Sequence, residues 1–124
     1  MTLILIAAGG AAGSVLRYLI GGAVQQLSPR GFPIGTLAVN VLGCLLIGIL
    51  ARQFLNVQTA ASMRALLVVG FCGGFTTFSA FSHETVALVE GGELTRAAAY
   101  VLLSTALCLG ATFAGMGAVR AVVS

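Results

Sequence analysis

Three stretches of this sequence, Gly31 to Ala51, Ala65 to Ser82 and Ala97 to Val119, contain no formally charged side chain. Each is long enough to approach or exceed the ~20 mostly apolar residues that a helix needs to cross a bilayer. The segment from Met1 to Pro29 is also apolar, interrupted once by Arg17. Together these segments predict an all-α membrane protein of four transmembrane helices, with residues 1–124 forming a single transmembrane domain and nothing left for an extramembrane one. The connections are short and carry breakers: Ser28 to Pro33, then Asn56 to Ser62, then Gly91-Gly92. Composition agrees, because 59% of the residues are hydrophobic and 7% charged, against about 25% charged in a soluble domain. Too few polar side chains remain to cover a surface facing water.

The same arithmetic excludes a disordered chain and a coiled coil. Nucleic acid is excluded as a partner, despite a pI near 9.1, because all six cations are Arg and stand singly rather than in a patch. Cys44, Cys72 and Cys108 lie in apolar stretches with no CxxC pair, so they read as small buried hydrophobes rather than a disulfide framework or a zinc site. The apolar run from Met1 to Ala12, ending in small residues, resembles a cleavable leader, but the basic n-region of a secretory signal is missing.

Charge also bears on orientation. With four spans, one side of the membrane holds Arg52, Arg64 and Arg120 and the other holds Arg30 and Arg96. Orientation follows a clear Lys/Arg excess in short loops, and three against two is almost none. Either other features fix one orientation, or the chain inserts both ways and pairs with an inverted copy. Four helices leave little room for an enclosed aqueous route, so transport favours assembly. Close helix contact is supported by Gly9 with Gly13, Gly70 with Gly74, and Gly43 and Gly48, since small residues let backbones approach inside a bilayer.

Polar groups inside a span are functional-site hypotheses by default. Arg17 is one, unless it snorkels to an interface. Asn40, near the middle of a charge-free span, carries two donors on a short side chain and serves either a site or interhelical bonding. In the third span, Gly73-Gly74 followed by Thr76-Thr77 makes a poor helix interior. A break near Gly73 to Thr77 is expected there, tolerated at membrane depth only beside protein or a polar cavity, and freed carbonyls at such breaks hold small cations in transporters. Phe78 and Phe81 share a face beyond the break, interleaved with Ser79 and Ser82. On the fourth span, Tyr100, Ser104, Cys108 and Thr112 recur at steps of four and form one weakly polar stripe. Ser82, His83 and Glu84 are successive and cannot converge as a catalytic triad, so no enzyme is expected. With His83 and Glu84 at the end of the third span, the polar interior reads as donors only, which suits an anion.

The runs Gly9-Gly10-Ala11-Ala12-Gly13-Ser14-Val15-Leu16-Arg17-Tyr18, Gly35-Thr36-Leu37-Ala38-Val39-Asn40-Val41-Leu42-Gly43 and Gly73-Gly74-Phe75-Thr76-Thr77-Phe78-Ser79-Ala80-Phe81-Ser82-His83-Glu84 resemble the small dual-topology fluoride channel family, the Fluc or CrcB type. The resemblance covers most of the chain. It implies an antiparallel dual-topology homodimer in the bacterial inner membrane that lets fluoride leave the cytoplasm passively through two pores, around a central structural sodium ion. On that reading Phe78 and Phe81 line the ion path, Asn40 donates to it, Ser79 lies beside it, and Tyr100, Ser104 and Thr112 extend a polar track. Arg17 would make the entrance electropositive, and the backbone carbonyls of Gly73 and Thr76 would hold the sodium. Ala80 stands where a Thr is expected in the family's run, and Cys108 where a hydroxyl is expected on the stripe.

Physical chemistry is compatible with that ligand, because an aromatic ring is positive at its edge and can meet a small anion there. Two other classes compete. A small proton-coupled multidrug antiporter needs a membrane-embedded carboxylate and no cation such as Arg17 in its first span. A structural membrane subunit conducts nothing.

Overall fold

The computed structural model describes residues 1–28, 30–54 and 61–123. Helix α1 (Thr2–Gln25) is followed by α2 (Ile34–Phe54), and the third span is built in pieces: α3 (Ala61–Met63), a π-helical segment (Arg64–Cys72), α4 (Gly73–Phe75) and, beyond two extended residues, α5 (Phe78–Glu90). Helix α6 (Leu94–Val123) completes the chain. Four runs are long and apolar enough to cross a membrane: Thr2–Gln25, Ile34–Gln53, Ala61–Glu90 and Leu94–Val122. The protein is therefore an all-helical, multi-pass membrane chain. Residues 56–60 of the expected second turn, and Pro29 of the first, lie outside the described residues, while Ala61 and Ser62, also expected in that turn, begin α3.

Helices outrun their charge-free cores. The third span continues through His83 and Glu84 to Glu90, and the fourth begins at Leu94 rather than Ala97. Charge did not stop them; the Gly91-Gly92 turn does. Gly92 takes φ +79°, a left-handed conformation that favours glycine, and the Gly91, Gly92 and Glu93 amides bond back to Ala87, Val89 and Leu88. The α1–α2 connection is tied by Gln25, which accepts from the Gly35 amide at 2.9 Å and donates to Phe32 O at 3.0 Å. That oxygen satisfies one of the amides that a helix start leaves without an internal partner.

Helices pair in two tight sets. Helix α1 packs mainly on the π-helical segment, and α2 on α6. Both seams are backbone against backbone. A Cβ on Gly9 or Gly13 would collide with main-chain atoms of Leu66, Phe71 and Phe75, and one on Gly70 or Gly74 with those of Ile6 and Gly10. Across the other seam Gly48 lies on the Thr112 backbone and Gly115 on that of Leu45. The glycine spacings noted in the sequence thus mark real contacts. The side-chain core is small, with Leu88, Ala97 and fully buried Tyr100 packed by Phe32, Leu37 and Phe81, while Leu3, Leu19, Leu102 and Phe113 face outward.

Candidate functional site

The expected break is present, at Thr76 and Thr77, which are extended with φ, ψ of −88°, 157° and −150°, 113°. Breaking a helix frees carbonyls and amides that must find other partners, and side chains from three elements supply most of them. Asn40 of α2 spans the gap, accepting from the Thr77 amide at 2.8 Å and donating to Thr77 O at 3.1 Å. Arg17 of α1 donates from Nε to Gly74 O at 3.0 Å. Thr76 Oγ1 bonds back to Cys72 O at 2.8 Å. Thr77 caps α5, its hydroxyl accepting from the Ala80 amide at 3.1 Å, a role for which Thr is well suited.

This arrangement has a consequence for two carbonyls. In a continuous helix Gly73 O would accept from the Thr77 amide and Thr76 O from the Ala80 amide. Both amides are committed elsewhere, to Asn40 and to the Thr77 hydroxyl. Gly73 has no atom within 4 Å of its Cβ position, so this point of the break opens away from the rest of the chain. Hard main-chain oxygens of this kind fit a small cation.

Against the break lies a cavity of about 360 Å³, walled by α2, the end of the π-helical segment, the break, α5 and α6. Asn40, Phe78, Phe81 and Ser104 border it, together with Thr77 and the three cysteines. The Phe78 and Phe81 rings are 5.4 Å apart between centroids. Phe81 also leans on Tyr100 at 5.1 Å, which in turn meets Phe32 edge-on at 5.6 Å, so Phe81 is braced on both sides. Phe78 is 79% exposed. Ser104 Oγ is buried and has no hydrogen-bond partner, an arrangement that ordinarily calls for a ligand or solvent. The Asn40 amide nitrogen carries a second hydrogen beyond the one given to Thr77.

The other expected path residues sit off this wall. Ser79 is exposed, its hydroxyl 3.2 Å from that of Thr77. Thr112 lies further along α6 and donates to Cys44 O at 3.1 Å and Cys108 O at 3.2 Å. The polar stripe on α6 therefore contributes Ser104 and Cys108 to the cavity, while its two ends make fixed protein contacts. Tyr100 donates its hydroxyl to Glu84 at 2.8 Å. Arg17 borders a second cavity of about 250 Å³ with Gln25, Thr36 and Glu84.

Glu84 corrects the sequence reading. The interior does not consist of donors alone: Glu84 is half-buried, with Oε2 accepting from Thr36 at 2.9 Å and Oε1 from Tyr100. It lies there because α5 continues past Ser82, so a residue placed at the end of the span by charge counting is followed by helix as far as Glu90.

Compared with known proteins, residues 4–116 match the model of the CrcB-like protein family, described as camphor resistance (CrcB). The chain belongs to the CrcB family. Relatives within reach of this CrcB chain include the fluoride-specific ion channel FluC of Nitrobacter winogradskyi, 51% identical over 119 residues and covered over 94% of each chain. That of Geobacter sulfurreducens is 50% identical over 120 residues, with 96% of this chain and 97% of the relative covered. That of Rhizobium etli is 47% identical over 124 residues, with 97% of both covered. Each similarity therefore extends over all four spans and the break.

Proposed function

We propose that the chain is a passive fluoride channel of the bacterial inner membrane that works as an antiparallel, dual-topology homodimer. The observation that carries the reading is a cavity bordered by Asn40, Phe78, Phe81 and Ser104, the Ser104 hydroxyl being buried without a partner. Hydrogen-bond donors beside ring edges replace the water that a small anion gives up, and pores select ions by such close-range coordination. The names of relatives at about half identity support fluoride as that anion.

Exposure of Phe78 and Gly73, beside carbonyls of Gly73 and Thr76 whose usual helical donors are committed elsewhere, supports a second copy against this face. Two oxygens from each copy would supply the four donors on which a sodium ion could rest, by symmetry about the dimer axis. Near-balanced Arg counts on the two sides support insertion in both orientations. The Glu84 carboxylate is the one feature that favours a proton-coupled antiporter. Both its oxygens are hydrogen-bonded, however, and the cavity it borders also holds Arg17, which repels a cationic drug.

Purified protein in liposomes, read with a fluoride electrode, tests the reading. Rapid fluoride efflux without a proton gradient is expected. Drug exchange driven by protons, or no flux at all, would replace it with the antiporter or the structural subunit. A reporter on the C-terminus is expected on both sides of the membrane, and one-sided labelling of the unmodified protein overturns dual insertion.

A further inference from the structure

All three cysteines border the cavity that holds Asn40, Phe78 and Phe81, although they stand far apart in the sequence. None is in a disulfide. Cys44 on α2 and Cys108 on α6 are held together by backbone geometry: the Thr112 hydroxyl bonds both of their carbonyls, which sets the two residues at one level on facing helices, and both border the same cavity. Gly48 and Gly115 hold those helices backbone to backbone just beyond, so the pair has a fixed spacing. Both thiols are only partly buried, whereas Cys72 is 2% exposed.

A thiol pair of this sort selects ligands by softness. Thiolate sulfur favours soft ions over hard ones, and no group of three or more His, Cys, Asp or Glu side chains able to hold a metal occurs among the described residues. That absence disfavours tetrahedral zinc, which wants four ligands. It leaves the ions that accept two sulfurs in a line. The geometry points to Cys44 and Cys108 as a two-coordinate site for a soft, thiophilic cation such as silver(I), copper(I) or mercury(II), whose occupancy plugs the cavity.

Binding exchanges two S–H bonds for two sulfur–metal bonds and releases both protons to water. A divalent ion leaves a neutral bis-thiolate complex. A monovalent ion leaves one net negative charge in the cavity, so that an entering anion meets repulsion as well as a blocked passage. The metal site stands independently of the channel reading; only the block rests on it.

Silver nitrate in chloride-free medium is a suitable probe, because silver fluoride is soluble and silver chloride is not. Freshly reduced, desalted protein is titrated with silver(I) and followed by the ultraviolet metal–thiolate band. In parallel, liposome fluoride efflux is measured with each variant referred to its own silver-free rate. One silver ion per chain and a block reversed by excess dithiothreitol are expected. Cys44→Ser and Cys108→Ser should each lose the band and raise the blocking concentration by about a hundredfold, since even outer-shell changes cost ten- to hundredfold in metal affinity. Cys72→Ser should keep both. Silver binding that survives in Cys44→Ser/Cys108→Ser, or that vanishes in Cys72→Ser alone, overturns the assignment. A band without block overturns the plug. A silver-free protein without efflux instead overturns the channel reading, while the band still reports on the thiol pair.

Discussion

Replacing Ser104 by Ala should move stability and conduction in opposite directions. The Ser104 hydroxyl is buried without a partner, and burying such a group costs about 1–3 kcal/mol. Removing it leaves a methyl group against a wall already made of Phe, Cys and Leu side chains. Unfolding of the ion-free variant in detergent should therefore be unchanged or shifted upward by as much as about 2 kcal/mol. On the proposed ion path, the same change would take one donor from the passing anion. A hydrogen bond to a charged group contributes about 1.5–3 kcal/mol, and each 1.36 kcal/mol on a barrier is tenfold in rate, so single-channel fluoride current should fall about ten- to hundredfold. Thr112→Val is the contrasting case. Its hydroxyl bonds Cys44 O across the helix pair, and its loss should lower stability by about 1 kcal/mol. If Ser104→Ala weakened the fold and left the current intact, the hydroxyl would be a strut between helices and the cavity would not be the ion path.

Three further outcomes are expected. Phe78→Ile and Phe81→Ile should both abolish fluoride current, but Phe81→Ile should reduce thermal stability more, losing ring pairs with both Phe78 and Tyr100 at about 0.5–1.5 kcal/mol each where Phe78→Ile loses one. Gly74→Val should impair folding of the chain itself, because its side chain meets the Gly10 backbone, whereas Gly73→Val meets nothing within 4 Å and should leave the monomer intact while disrupting dimers on size-exclusion chromatography. Asn40→Leu strips partners from both the amide and the carbonyl of Thr77, which should lower stability by about 2–6 kcal/mol at about 1–3 per orphaned group, while Asn40→Asp, still able to accept from the amide, should lose less stability but all conduction.

What could be read in the sequence depended on whether the signal was local. Spans followed from gaps between charges, and the break from adjacent glycines and threonines, because both are properties of neighbouring residues. Asn40 stood out as a carboxamide in an apolar run, yet its partner, Thr77, is 37 residues away and left no mark on that run. Arg17 invited a choice between entrance and snorkelling; its bond to Gly74 O adds a structural duty that only the fold could disclose. The π-helical segment had no counterpart in the sequence, since its residues are as compatible with 3.6 residues per turn. Glu84 was misplaced because charge was taken to end a span, whereas Thr36 and Tyr100 offer hydroxyls that accommodate a carboxylate within one. The convergence of three separated cysteines on one cavity could be seen only after folding.

The glycine-lined seams give the protein a mechanical character. Where two helices meet backbone to backbone at glycines, few rotamers can turn to loosen or tighten the joint, so α1 with the π-helical segment, and α2 with α6, each behave as one stiff plank. The cavity lies on the line where the two planks meet. In the proposed channel its bore would follow how the planks slide against each other as whole bodies, and bilayer thickness and lateral pressure would then act on the sieve.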